Sequence, residues 1–207
     1  MKNMYDFYAK LKEIKDFIKE KNARITLLID QDDVLADLQG YVLDEYNKLN
    51  ETNFTYADIT DWNIGKVVGD DNIYQIMFNP DIYAELPVIK DCKEVLKNLI
   101  ESDLFNIYIV TAAHPAACYN KYKWIKNNLP FFNYDKVIFT SKKYQVKGDI
   151  LLDDAPHNLE DMKEKGVAKP VCLNKPYNKH VNCDRVNNWA DFGIYALEYA
   201  MNKIIQK

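Results

Sequence analysis

Four times along this chain an aliphatic, β-branched run stops abruptly at an acid or a hydroxyl. The runs are Ile25-Thr26-Leu27-Leu28-Ile29 before Asp30, Ile107-Tyr108-Ile109-Val110 before Thr111, Val137-Ile138-Phe139 before Thr140, and Ile150-Leu151-Leu152 before Asp153. Runs that are apolar on both faces read as strands covered on both sides, as in a parallel sheet. Val171-Cys172-Leu173 is a weaker fifth. Helical patterns lie between them, over Cys92 to Glu101, Pro115 to Leu129 and Leu159 to Lys165. Strands alternating with helices of this length imply βαβ units, so the expected fold class is α/β, a doubly wound, Rossmann-like parallel sheet.

At ~150 residues per domain, 207 residues leave room for one domain and a modest insertion. Residues 36–88 break the alternation: they are rich in Tyr, Asn, Asp and Trp, and read as a small helical cap inserted after the first strand. Residues 1–22 read as an N-terminal helix packed on the core, with Met4, Tyr8, Leu11, Ile14 and Ile18 at helical spacing. Residues 23–35 and 89–207 then make the core.

Composition narrows the partners. The net charge is −4 and only Arg24 and Arg185 are arginines, so no basic field collects a nucleic-acid polymer. No apolar run approaches the ~20 residues that span a membrane. The start, MKNMYDFYAK, does not read as a signal peptide. Cys92, Cys118, Cys172 and Cys183 show no C-x-x-C spacing, so reduced thiols in a cytoplasmic protein are expected. No glycine-rich phosphate loop is present, which leaves lysine, backbone N–H groups or a metal to hold a phosphate.

Ligands of open α/β sheets bind beyond the carboxyl ends of the strands. Those ends deliver Asp30-Gln31-Asp32-Asp33, Thr111-Ala112-Ala113-His114, Ser141-Lys142-Lys143 and Asp153-Asp154. Two carboxylates ~4 Å apart repel by about 4 kcal/mol at an effective dielectric of ~20. A hard dication relieves such crowding, and magnesium suits a site shared with a phosphate. Protonation of one acid relieves it too and prepares a general acid. Both are expected here. Asp33 and Asp37 also have a plainer reading, as helix caps or turn formers.

The run L-L-I-D-Q-D-D-V-L-A-D resembles the D-x-D-x-V signature of the haloacid dehalogenase superfamily of phosphotransferases. I-Y-I-V-T-A-A is similar to its second motif, the lysine before K-G-D-I-L-L-D-D to its third, and that acidic pair to its fourth. P-D-I-Y-A-E-L-P, K-Y-K-W-I-K-N-N-L-P-F-F, L-L-D-D-A-P-H-N-L and N-K-P-Y-N-K-H narrow the resemblance to the 5′(3′)-deoxyribonucleotidases, from about Arg24 to Trp189. It implies a magnesium-dependent phosphomonoester hydrolase acting on nucleoside 5′- or 3′-monophosphates. Asp30 would be the nucleophile, forming an aspartyl-phosphate, and Asp32, protonated by its acidic neighbourhood, the acid and then the base. Magnesium would be held by Asp30, the backbone carbonyl of Asp32 and Asp154, with Asp153 orienting bound water. Thr111, the N–H of Ala112 and Lys143 would grip the phosphoryl oxygens. Lys142 competes with Lys143, but the step from Lys143 to Asp153 fits the family pattern, and Lys147 reads as solvated.

Two positions depart from that pattern. Asp33 stands where glycine is usual; it either adds charge beside the nucleophile or points away and caps the next helix. Leu38 stands where relatives often carry a pocket aromatic. Specificity is expected in the cap, where Tyr56, Trp62, Tyr74, Phe78 and Tyr83 are candidates both for base stacking and for core packing. Leu38, Trp62 and His114 are the expected pocket residues. Trp124 and Trp189 read as structural, His157 as a brace for the fourth-motif loop with Asn158, and His180 as a surface loop residue. The expected partner is a small-molecule nucleotide, and the protein a monomer or homodimer. The alternatives are a sugar phosphatase of the same chemistry and a nucleotide-binding module without turnover.

Overall fold

The computed structural model describes residues 2–18 and 24–205. Six strands, β1 (Ile25–Ile29), β2 (Phe105–Thr111), β3 (Val137–Phe139), β4 (Ile150–Asp153), β5 (Lys169–Leu173) and β6 (Asp184–Val186), form one sheet in the order β3-β2-β1-β4-β5-β6. Every neighbouring pair is parallel. The sheet grows outward from β1 through β2 to β3, then returns to lay β4 on the other side of β1. That reversal opens a crevice at the carboxyl ends of β1 and β4. Leu27, Leu28 and Ile29 pair with Ile150, Leu151 and Leu152, so the next step brings Asp30 level with Asp153. The Asp30 N–H donates to the Leu152 carbonyl at 3.0 Å, which continues the ladder up to the nucleophile position.

Among the described residues eight α-helices flank or cover the sheet: α1 (Met4–Ile18), α2 (Leu38–Asn50), α3 (Ile64–Val68), α4 (Ile73–Met77), α5 (Cys92–Glu101), α6 (Pro115–Asn128), α7 (Pro156–Lys165) and α8 (Trp189–Ile205). Helix α1 lies against α8 and buries Phe7, Leu11 and Ile14. Gly193 makes the close approach: a Cβ there would stand 2.5 Å from the Phe7 ring. Tyr8, expected on the buried stripe, is instead exposed and donates to Glu94. The expected helix over 1–22 is described only to Ile18; residue 1, residues 19–22 and the Ile18 side chain lie outside the described residues.

Three elements differ from the sequence reading. Helix α7 begins at Pro156 rather than Leu159, because proline at the first helical position lacks only an N–H that would be unpaired anyway. Strand β6 is an extra, three-residue edge strand. Helix α8 is apolar on most faces and buries Trp189, Phe192, Ala196, Leu197 and Ala200 under the sheet.

The segment after β1 leaves and returns at one place. Ala36 bridges Val88 in antiparallel fashion. The Asp37 N–H donates to Pro87 and the Ile89 N–H to Leu35, both at 2.9 Å. Two buried indoles fasten this neck: Trp189 Nε1 donates to the Val34 carbonyl at 2.8 Å and Trp124 Nε1 to the Leu86 carbonyl at 2.7 Å. Helices α2 and α4 pack on each other between those points.

Candidate active site

The carboxyl ends of β1 and β4 put carboxylate oxygens of Asp30, Asp153 and Asp154 within 4.8 Å of one another, all three residues buried. One ammonium ties the two strands together. Lys143, buried on the 3-10 turn Lys143–Gln145, stands 2.6 Å from Asp30 Oδ1 and donates to Asp153 Oδ2 at 2.7 Å. Its approach to Asp30 is off the hydrogen-bonding direction, so Oδ1 remains without a hydrogen bond. Burial works against the Lys143 charge, but Asp153 and Asp30 outweigh it and raise its pKa. Asp153 is saturated: Oδ1 accepts from the Ala155 N–H at 2.9 Å, and the Asn158 amide reaches both oxygens at 3.2 Å.

Asp154 is held from the other side. Tyr177 donates its hydroxyl to Oδ2 at 2.6 Å and the Asn178 amide donates to its backbone carbonyl at 2.9 Å. Burial, then the charges of Asp33, Asp153 and Asp30, push the Asp154 pKa well up. Burial likewise raises Asp30, with Lys143 pulling it back. An acid cluster so desolvated is a hard-oxygen donor set in want of positive charge.

Asp32 has a partner that the sequence reading did not supply. Lys121, on α6, is 1% exposed and donates to Asp32 Oδ2 at 2.5 Å, to Thr111 Oγ1 at 2.9 Å and to the Ala112 carbonyl at 2.6 Å. Asp32 Oδ1 is buried with no hydrogen-bond partner. Burial raises the Asp32 pKa, Lys121 draws it down, and Asp30 raises it again. The lift expected from the acidic neighbourhood is there through Asp30, but desolvation is the larger cause and a lysine opposes it.

A cavity of about 370 Å³ opens above these groups. Its floor includes Asp30, Asp32, Asp154, Lys143 and Ala112; its walls include Leu38, Trp62, Tyr74, Met77 and Phe78. Tyr74 and Phe78 stack with centroids 5.5 Å apart, and Trp62 sets its ring edge-on to His157 and Tyr177.

Residues 23–198 match the 5′ nucleotidase, deoxy (pyrimidine), cytosolic type C protein family. The chain belongs to this family. Among curated relatives, a 5′(3′)-deoxyribonucleotidase of Clostridium acetobutylicum is 35% identical over 167 residues, covering 79% of this chain and 90% of that protein. One from Bacillus subtilis is 30% identical over 168 residues, covering 80% and 94%. Solved structures agree on the fold. A haloacid dehalogenase-like hydrolase from Burkholderia xenovorans superimposes with a TM-score of 0.57 at 14% identity, covering 86% of this chain and 98% of that one. The hydrolase YfnB of Bacillus subtilis, described as bound to magnesium, gives 0.56 at 15% identity, covering 85% and 99%.

Against the deoxyribonucleotidase pattern, the structure brings Asp30, Asp32, Ala112, Lys143 and Asp154 to one cavity and sets Thr111 and Asp153 directly behind them. Asp33, in the glycine position, has a left-handed backbone (φ 53°), which is where glycine is at ease and aspartate is tolerated. Its Oδ1 accepts the Gln39 N–H at 3.0 Å, in the first turn of α2, so it acts as a cap; burial lifts its pKa to about 7. Lys142 and Lys147 are exposed. Two expectations need correction. His114 is exposed, caps α6 through Nδ1 to the Ala116 N–H at 3.3 Å, and does not line the cavity. Asn158 alone braces Asp153, while His157 packs on Trp62. Of the five cap aromatics with two readings, Trp62, Tyr74 and Phe78 line the cavity, whereas Tyr83, buried beneath Lys121, and Tyr56, under Lys175, take the packing alternative. Lys121 itself was legible in one respect: it shares the buried stripe of α6 with Ala117, Trp124 and Ile125, and a lysine on such a stripe needs a partner.

Proposed function

We propose that the chain is a magnesium-dependent phosphomonoester hydrolase that removes phosphate from deoxyribonucleoside 5′- or 3′-monophosphates through an aspartyl-phosphate on Asp30. The observation that carries this reading is the convergence of three buried carboxylates within 4.8 Å, beneath a cavity walled by aromatic side chains. The names of the relatives, 5′(3′)-deoxyribonucleotidases, support the substrate class.

The residues fit a magnesium ion: the donors are all hard oxygens, and the three buried carboxylates share a single ammonium, Lys143, which touches Asp30 and Asp153 but not Asp154. Asp30, Asp154 and the backbone carbonyl of Asp32 would hold it. When bound, it neutralises the clustered acids and the phosphate charge. Asp153, with both oxygens engaged, holds Lys143 in place rather than orienting water. Asp30 attacks the phosphorus in line, so that an oxygen–phosphorus bond to Asp30 forms as the bond to the nucleoside oxygen breaks. Asp32 donates a proton to that departing oxygen and later takes one from the water that cleaves the aspartyl-phosphate. Lys143, the Ala112 N–H and the Thr111 hydroxyl hold phosphoryl oxygens during both steps.

The aromatic walls favour a nucleobase over a bare sugar, since stacking one base is worth ~1–3 kcal/mol. Residues 36–88 act as the specificity cap on a core made of 23–35 and 89–207, with helix α1 (Met4–Ile18) packed on that core. The family description carries the word cytosolic, which supports a cytoplasmic setting, and no described helix is long and apolar enough to cross a membrane.

Phosphate release from a panel of deoxynucleotides and sugar phosphates, with magnesium, tests the reading. Deoxynucleotides are expected to lead, and equal turnover of sugar phosphates would remove the nucleotide assignment. Asp30→Asn is expected to abolish release and keep the fold; surviving activity would place the nucleophile elsewhere.

A further inference from the structure

We propose that Lys121 is a positioning residue for this reaction: it holds one oxygen of Asp32 so that the other is presented to the leaving group of the substrate. The assignment rests on the phosphatase reading above. An ammonium has three N–H donors, and here all three are taken, by Asp32 Oδ2, Thr111 Oγ1 and the Ala112 carbonyl. The carboxyl of Asp32 is therefore anchored through Oδ2. Its second oxygen, Oδ1, is buried without a partner in a residue that lines the cavity. Oδ1 is thus the Asp32 oxygen that no protein group engages, shielded until a substrate enters.

The same ammonium donates to the Thr111 hydroxyl, which itself donates to the Ala112 carbonyl at 3.3 Å, so Lys121 and Thr111 together fix the start of the phosphate loop. Lys121 is itself locked. The ring of Tyr83 lies 5.2 Å from Nζ. The Gln31 amide, from between the two aspartates, donates to the Lys121 carbonyl at 3.3 Å. A purely structural role explains the lysine poorly, because an apolar side chain of similar volume would pack the inner face of α6 at least as well as a buried ion pair. The charge is kept where α6 passes the reacting acid and the phosphate loop together.

The consequence depends on the leaving group. When the bond from phosphorus to a nucleoside oxygen breaks, the electron pair stays on that oxygen and a proton must arrive from Asp32. A p-nitrophenolate leaves with its charge and needs no proton. Misplacing Asp32 therefore harms the first substrate far more than the second.

The experiment measures kcat/KM, which reads the steps up to leaving-group departure, for dTMP and for p-nitrophenyl phosphate. The enzymes are the wild type, Lys121→Met, Lys121→Gln, Asp32→Asn and the Asp32→Asn/Lys121→Met pair, all with magnesium. Lys121→Met is expected to lose about 100-fold on dTMP and less than about 10-fold on p-nitrophenyl phosphate, in line with the range for general acid catalysis. Lys121→Gln, which keeps one donor for Oδ2, is expected to recover part of the dTMP loss. Adding Lys121→Met to Asp32→Asn is expected to bring little further loss on dTMP, and the neutral pair also answers for a single variant that does not fold. Equal losses on both substrates, or full additivity with Asp32→Asn, would overturn the role of Lys121 and leave the phosphatase reading standing. A wild type that releases phosphate from neither substrate would overturn that reading instead.

Discussion

Trp62 is 41% exposed at the mouth of a cavity whose floor holds the buried Asp30, Lys143 and Asp154. A tryptophan with that much free surface, braced on edge by His157 and Tyr177, has a face to give to a flat ligand. Trp62→Ala is expected to raise KM for deoxynucleotides by roughly 5- to 150-fold, the equivalent of ~1–3 kcal/mol of stacking. It should leave p-nitrophenyl phosphate almost unaffected, and steady-state kinetics on the two substrates check it. Unchanged KM for the nucleotide would put the base elsewhere in the cavity. At this scale the acids stand out because each follows a strand, and the carboxyl end of a strand has a known place in the fold; Lys143 is told from Lys142 only by its step to Asp153 in the family pattern. The partners of Lys121 and the capping role of His114 were not legible. Lys121 lies on α6, where the rotation of the helix decides what a side chain faces, and His114 is the cap just before it; sequence distance from the second motif reports neither. His114 is close in sequence and spends its ring on a cap, whereas Lys121, further along, turns inward.

The strands and helices show the same division. The central strands were legible because burial on both faces demands unbroken apolar runs. Strand β6, Asp184–Val186, carries two charged residues in three and pairs only at the sheet edge, so no such demand marks it. Helix α8 is apolar nearly all round, which blurs the periodicity by which helices are read. Yet α8 bears on the site, since its first residue, Trp189, donates to the Val34 carbonyl just past the D-x-D run. Trp189→Phe removes that donor and strands a buried carbonyl, which costs about 1–3 kcal/mol besides the lost ring volume. Urea unfolding should show a midpoint lowered accordingly. An unshifted midpoint would mean that the neck of the insertion is held by its backbone bonds and the Trp124 indole without help from Trp189.

For the molecule as a whole, the crowded acids make a prediction about metal. A ligand that binds only the folded chain stabilises it by about 2.7 kcal/mol at a concentration of 100 times Kd. Magnesium is therefore expected to raise Tm by several degrees and chelator to reverse it, with Asp154→Asn blunting the response. A Tm indifferent to both would argue against a dication among Asp30, Asp153 and Asp154. The sheet order has a consequence for synthesis too. Because β1 is flanked by β2 and β4, Asp30 emerges early from the ribosome but meets Asp153 only after most of the chain has followed. A truncated or still-growing polypeptide carries the D-x-D run without the remainder of its acid cluster. Such a nascent chain is chemically silent, and the cell's nucleotide pool is untouched until the fold is all but closed.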